Sequence, residues 1–463
     1  MNRLLIAAAA AGFLLMGCKG HGSSSAAIPA SLTNWTWEAD TNAAQSPGSF
    51  GSLGVAATTN QPSGRSGTMG WKDSSGKLWI FSGSGGFSDM WVFDSSTLSW
   101  VWMSGTHIST SNAGVYGTQG TAAAANLPGA RTSAATWTDA AGKFWMLGGY
   151  GTDANGLIGY MNDFWRYDTS SNQWTWMGGA SGGGSSSGNY VYPAVNVAAT
   201  SNIPNPRNSS AFWKDLNGNF WLFGGQAYLN NTGGLQNDLW EYIPANATWT
   251  LVGGSTTQNA TGIYGTAATA ASTNFPGARQ QATTWTDTAG NFWLFGGSGY
   301  DSIGSVGYLN DLWKFSPTTQ QWTWISGSNL INAVGVYGTN NVAAATNQPG
   351  ARYGAQAWTD VSGNHWLFGG IGINSSGVQA TMNDLWEFQA SSNQWVWING
   401  SYNGNLAGYY GTLHILSSSN MPGSRSDALT WTDATGNFWM FGGSGYDAAS
   451  ANGLLTDVWK FLP

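Results

Sequence analysis

PGARQQATTWTDTAGNFWLFGG, residues 276–297, returns as PGARTSAATWTDAAGKFWMLGG at 128–149, PGARYGAQAWTDVSGNHWLFGG at 349–370 and PGSRSDALTWTDATGNFWMFGG at 422–443. Weaker copies begin at Ser63 and Pro206. One arginine marks each unit: Arg65, Arg131, Arg207, Arg279, Arg352 and Arg425, spaced 66, 76, 72, 73 and 73 residues apart. Self-similarity at a near-constant period is the signature of an architecture made from copies of one supersecondary unit.

Each unit reads as four short strands. The first runs from the arginine to Trp-Thr-Asp. A tight Asp-x-x-Gly turn follows (Asp287 to Gly290), where Gly accepts positive φ and the Asp side chain bonds the turn backbone. The second strand is Phe292-Trp293-Leu294-Phe295, closed by Gly296-Gly297. The third is Asp311 to Phe315 and the fourth Trp322-Thr323-Trp324. The step from the aromatic of the third strand to the first Trp of the fourth is constant, as in Tyr167 to Trp174 and Phe388 to Trp395. Short antiparallel strands in such units predict an all-β chain, a β-propeller.

The unit resembles the kelch repeat: an initial Arg, a diglycine after the second strand, then an aromatic and a Trp at fixed spacing. The resemblance covers six units and implies a six-bladed kelch-type propeller with four antiparallel strands per blade. It implies little about function, because propellers of this kind include binders, scaffolds and enzymes. The last unit stops at Asp457-Val458-Trp459-Lys460-Phe461 without a fourth strand, and the missing one stands at the other end of the chain as Asn34-Trp35-Thr36-Trp37. The N-terminal strand, 34–38, is therefore expected to complete the sixth blade and close the ring. Closure would remove an exposed sheet edge.

The repeat accounts for the composition. The chain has 463 residues, 29 Trp and 67 Gly, yet only 8% charged residues. All of the tryptophans fall in the expected strands, so they are expected to pack neighbouring blades rather than form a sugar-stacking platform on loops. The net charge of −7 leaves no footprint for nucleic acid, and 14% aromatic residues argue against disorder.

Two charged rings accompany the arginines. Asp89, Asp163, Asp238, Asp311, Asp384 and Asp457 open the third strands, on the face where the arginines open the first. Repeated structural Arg–Asp contacts are expected; the alternative is a cationic ring able to hold an anion at the channel mouth. The other ring, which includes Asp287, belongs to the tight turns of the opposite face.

Loop lengths single out one face. The connections after the second strands are mostly long, and those from fourth to first strands run about 25 residues. Both sets should emerge together, and functional residues concentrate on such loops. Part of the longer connection is itself repeated: Gly114-Val115-Tyr116-Gly117-Thr118 recurs at 262, 335 and 408, and in altered form at Gly48-Ser49-Phe50. These Tyr and Phe are expected to pack within the loops. Where the repeat breaks, candidate ligand-binding residues are Tyr190, Tyr192, His107, His414, Asp153, Tyr300, Asp301, Tyr446 and Asp447.

The N-terminus reads as an export signal: Arg3, then an apolar stretch from Leu4 to Met16 too short for a mature membrane helix. Leu15-Met16-Gly17-Cys18 resembles a bacterial lipobox, with Met16 in place of the usual small residue. The expected organisation is a signal peptide (1–17), a lipid-anchored tether (18–33) beginning at Cys18, and the propeller (34–463). Lys19, where an Asp would retain a lipoprotein at the inner membrane, favours the outer membrane. Cys18 is the only cysteine, so no intramolecular disulfide forms.

Galactose oxidase, a kelch-type enzyme, uses copper with a Tyr–Cys cross-link. With Cys18 in the anchor, that cross-link has no thiol here, and His365 replaces a second-strand Phe and is expected to be structural. No metal or nucleophile motif is present, so no catalytic residue, metal or cofactor is expected. The expected function is a monomeric, non-catalytic binding or adhesion module for a glycan or protein. The alternative is a carbohydrate-active enzyme resembling the kelch-type sialic acid mutarotases; for that reading Asp427 on a first strand is an isolated acid without a nominated partner.

Overall fold

The structure, a computed structural model, describes residues 34–106, 112–182, 190–229 and 232–463. His107, Cys18 and the leader lie outside the described residues. Among the described residues every regular element is a β-strand.

The fourth repeat shows the unit. Thr283–Thr286, Phe292–Tyr300, Val306–Ser316 and Gln321–Ser326 pair antiparallel in sequence order, with Trp285 opposite Trp293, Leu294 opposite Trp313 and Trp313 opposite Trp324. Many of the fully buried strand positions, Leu294 and Trp313 among them, carry large apolar side chains. A short strand, Arg279–Gln280, continues the first beyond a kink and pairs with Gly299 and Ser298. At the kink Gln281 takes φ +51°. The diglycine has a steric cause: a Cβ on Gly296 would lie 2.7 Å from the carbonyl oxygens of Arg352 and Leu309. The glycine lets the next sheet's backbone come that close.

The first strands adjoin one another in chain order, from Met69–Lys72 to Leu429–Thr432, and the last also touches the first. A chain of backbone hydrogen bonds follows the same path: Ser133 N–H donates to Gly67, Ser209 to Ser133, Gln281 to Ser209, Gly354 to Gln281, Asp427 to Gly354 and Gly67 to Asp427, all at 2.8–3.1 Å. Each donor lies two residues after a repeat arginine. The N-terminal strand Asn34–Ala39 pairs with Val458–Leu462, Trp35 opposite Phe461 and Trp37 opposite Trp459. The fold is a β-propeller.

Its cores lie between sheets. Trp71 stacks on Phe144, Trp137 on Phe220, Trp213 on Phe292 and Trp358 on Phe438, each with 10° between ring planes. One apolar cluster joins Trp91 and Trp100 to Trp439 and Val458, the two ends of the chain. The tryptophan indoles bond as well as pack: Trp285 Nε1 donates to the Trp366 carbonyl of the next sheet at 3.1 Å, and Trp293 Nε1 to Asp287 at 3.0 Å.

The connections from fourth to first strands do not simply rise on the loop face. Much of each runs along the outer edge of the sheet it leads into. Ala271 bridges Trp322, Ala268 N–H donates to the Trp324 carbonyl at 2.7 Å, and Asn274 Nδ2 reaches the carbonyls of Thr269 and Trp322. Asn60, Asn126, Asn202, Asn347 and Asn420 repeat the double contact. The length read as loop is spent covering strand edges that would otherwise offer unpaired backbone groups.

Candidate functional site

On the face of the long connections, each repeat arginine is locked. Arg279 donates to Asp311 Oδ1 and Oδ2 at 2.7 Å each, to the Gly296 carbonyl at 2.9 Å and to the Gly277 carbonyl at 3.0 Å. Asp311 Oδ2 also accepts Trp313 Nε1 at 2.7 Å and the Tyr264 hydroxyl at 2.6 Å. The other five pairs are equally close and their side chains are at most 2% exposed. Burial works against the guanidinium charge, but the facing carboxylate outweighs it and holds Arg279 above its ordinary value. Burial, then the Asp311 charge, push the Tyr264 phenol upward. These are structural nodes; buried and paired, they offer no seat for an anion.

The loop tyrosines are the nodes' third member. Tyr116, Tyr264, Tyr337 and Tyr410 each donate to the node aspartate at 2.6–2.7 Å. In the first repeat Phe50 packs on Trp91 and Trp102 as Tyr116 does on Trp165 and Trp176, but has no hydroxyl. There the Ser63 hydroxyl accepts from Arg65 Nη2 at 3.1 Å, at a position that is Gly in the repeats carrying the tyrosine. Ser63→Gly alone is expected to cost about 1–2 kcal/mol, from the lost bond and the added chain freedom. Adding Phe50→Tyr should recover most of that loss in chemical denaturation. Simple additivity of the two changes would refute the exchange of one hydroxyl for another.

Several residues singled out in the sequence have structural employment. Tyr192 performs the node role in the third repeat: its hydroxyl reaches Gln236 Oε1 at 2.8 Å and Asp238 Oδ2 at 3.2 Å, and its ring stacks on Trp240. The Tyr190 hydroxyl donates to the Ile203 carbonyl, and its ring meets Tyr192 edge-on. The inserted residues thus reroute the chain to the same node. Asp153, Asp301 and Asp447 each accept two backbone N–H groups, two and four residues on, as Asn374 does. They build tight turns in the long hairpins. His414 is at the outer edge, 3.2 Å from Glu38 Oε2 beside the N-terminal strand, with its side chain half exposed. Tyr300 and Tyr446 end strands and are partly exposed.

A different set gathers at the channel. A cavity of about 290 Å³ runs between the first strands, lined by Thr68, Thr136, Thr284, Gln281 and Asp427 among others. On the adjoining strand extensions Tyr308 meets Tyr353 and Tyr150 meets Tyr160, each pair with ring centroids 5.2 Å apart. The sequence signal for these tyrosines was their departure from the repeat: the places equivalent to Tyr353 hold Ser66, Thr132, Asn208, Gln280 and Ser426. Among the described residues no group of three or more His, Cys, Asp or Glu is placed to hold a metal ion.

No protein-family model and no curated protein matches the chain. Among solved structures, that of YjhT is similar with a TM-score of 0.51 and 15% identity, covering 86% of this chain and 95% of that one. The likeness is one of fold.

Proposed function

We propose that this protein is an exported, lipid-anchored kelch-type propeller of six blades, closed by its N-terminal strand, that binds a glycan or protein on its long-loop face without catalysis. The observation that carries the binding role is a contrast. The repeated charges of that face are consumed in buried nodes, while unlike, non-repeated side chains collect around the channel mouth. Symmetric residues hold the scaffold; asymmetric ones are free to specify a ligand.

The returning chain of six backbone hydrogen bonds and the pairing of Asn34–Ala39 with Val458–Leu462 support six blades and closure. The Arg, diglycine and Trp positions, all with defined roles in nodes and inter-sheet packing, support the kelch type. Cys18 in its lipobox-like setting supports the anchor, and Lys19 the outer membrane. Asn34 lies opposite Leu462, at the end where the other sheets have the short turns between third and fourth strands. The propeller is thus entered from the end opposite the ligand face, which suits presentation away from a lipid surface.

The test is a glycan array probed with the full-length protein in detergent, with turnover assays on every hit. Saturable binding without product is expected. Product formed from a bound sugar would overturn the non-catalytic reading. Palmitate labelling, lost in Cys18→Ser, is the expected result for the anchor.

A further inference from the structure

The six residues two places after the arginines share one backbone state and differ in side chain. Gly67, Ser133, Ser209, Gln281, Gly354 and Asp427 have φ between +51° and +64°. Their amides and carbonyls are spent on the ring of backbone bonds, so only their side chains distinguish one sector of the channel from another. Asp427 stands between the two glycine sectors. A Cβ on Gly354 would come within 2.8 Å of Asp427 Oδ1, and the missing side chain lets Gln281, two repeats away, donate to that oxygen at 2.9 Å.

This is a carboxylate in a channel wall, and the repeat arginines are committed to other carboxylates. Burial raises the Asp427 carboxyl above its usual range, with hydrogen bonds from Gln281 and Ser426 opposing the rise. Thr68 Oγ1 and Gln356 Oε1, buried in the same cavity lining, have no hydrogen-bond partner among the described residues. Buried polar atoms of this kind call for a polar partner.

Tyrosines stand next to the lining: Tyr353 precedes Gly354, and Tyr150 pairs opposite Thr132, which precedes Ser133. Burial, Tyr308 and then the Asp427 charge raise the Tyr353 phenol. Three repeats away in the cycle, Tyr150 is 42% exposed against Tyr160. Aromatic faces beside hydroxyl and amide groups, with one carboxylate already accepting an amide, match a ring that is apolar on its faces and hydroxylated at its rim. A cation would call for more negative charge than one hydrogen-bonded carboxylate. At about 290 Å³, at the small end for ligand pockets, the cavity has room for a small ligand and not for a chain.

We propose that the channel mouth takes one neutral pyranose unit of a glycan, stacked against the tyrosines and donating ring hydroxyls to Asp427. This rests on the reading of the long-loop face as a binding face and adds the place and the ligand class. The experiment measures affinity for array hits with the full-length protein and with Asp427→Asn and Tyr353→Ala, competing with free neutral hexoses and with an alkylammonium ion. Asn tolerates the positive φ at 427, so that variant should keep its fold. Each variant is expected to weaken binding tenfold or more with unchanged thermal midpoint, and a neutral hexose to compete. Should Asp427→Asn prove unstable, Gln281→Asn, which shortens the bridge, should weaken binding several-fold. Glycan binding unaffected by these variants would overturn the proposed mouth and leave the loop-face reading standing. Competition by the ammonium ion alone would overturn the neutral-sugar class. An array with no hits would overturn the pyranose proposal and leave a protein as the ligand of the loop face.

Discussion

Asp384→Ala is expected to lower the stability of the propeller by about 3–5 kcal/mol, the usual cost of removing one partner of a buried ion pair. The reason lies in what remains. Arg352 would keep its buried charge after losing acceptors at 2.6 and 2.8 Å, while Trp386 Nε1 and the Tyr337 hydroxyl would lose theirs at 2.8 and 2.6 Å. Side chains 1% and 0% exposed leave no route for water to take over. Tyr337→Phe, which removes one donor and leaves the pair intact, should cost only about 1 kcal/mol. Removing both charges with Arg352→Met and Asp384→Leu should recover part of the loss, since a matched apolar pair avoids the stranded guanidinium. Urea midpoints for the wild type and the three variants test the order. Equal midpoints for Asp384→Ala and Tyr337→Phe would show that the pair contributes no more than one hydrogen bond. Because a repeated array of sheets can unfold in stages, the first transition is the one to compare.

The node also shows which features the sequence displayed. Arg and Asp rings were legible because charge is scarce and both recur at the period. Their pairing followed from placing both at strand starts on one face. The tyrosine's part was legible only as packing, since a fixed offset from the arginine shows order but not where a hydroxyl points. Tyr192 illustrates the difficulty: an insertion made it look like a specificity residue, yet the rerouted chain returns its ring to the same aspartate. The Asn-x-Pro of each long connection was a signal overlooked. Asn60, Asn126, Asn202, Asn274, Asn347 and Asn420 each stand two residues before a proline, and this is the side chain that fastens the connection to the sheet edge. The channel was the least legible part. The position at the kink is occupied by Gly, Ser, Gln and Asp, which share no side-chain chemistry, and their common positive φ is imposed by the backbone ring rather than by residue type. Asp427 was visible as an isolated acid; Gln281, its partner across Gly354, comes from two repeats earlier.

The second large effect is expected on acidification and belongs to His365. The other repeats place a Phe or Leu at this point of the second strand, and the imidazole has taken over the stacking geometry: 5.4 Å and 21° from Trp285, 6.3 Å and 6° from Phe388. It is fully buried, and neither ring nitrogen has a hydrogen-bond partner among the described residues. Burial lowers its pKa from 6.5 to about 4, against a weaker upward pull from Asp287 and Asp360. The unfolded chain therefore binds a proton at this site more readily than the folded one. The contribution of neutral His365 is fully present above about pH 6.5, falls as the pH drops towards 4 and then levels off. Over that window the loss comes to about 3 kcal/mol. His365→Phe restores the ring used at the equivalent places by Phe144, Phe220, Phe292 and Phe438 and removes the proton linkage. Its stability should match or exceed that of the wild type at pH 8, and the advantage should widen steadily between pH 6.5 and 4. Denaturation midpoints at half-unit pH steps follow this directly. Parallel curves for the two proteins over that range would show that His365 is not held neutral by its burial.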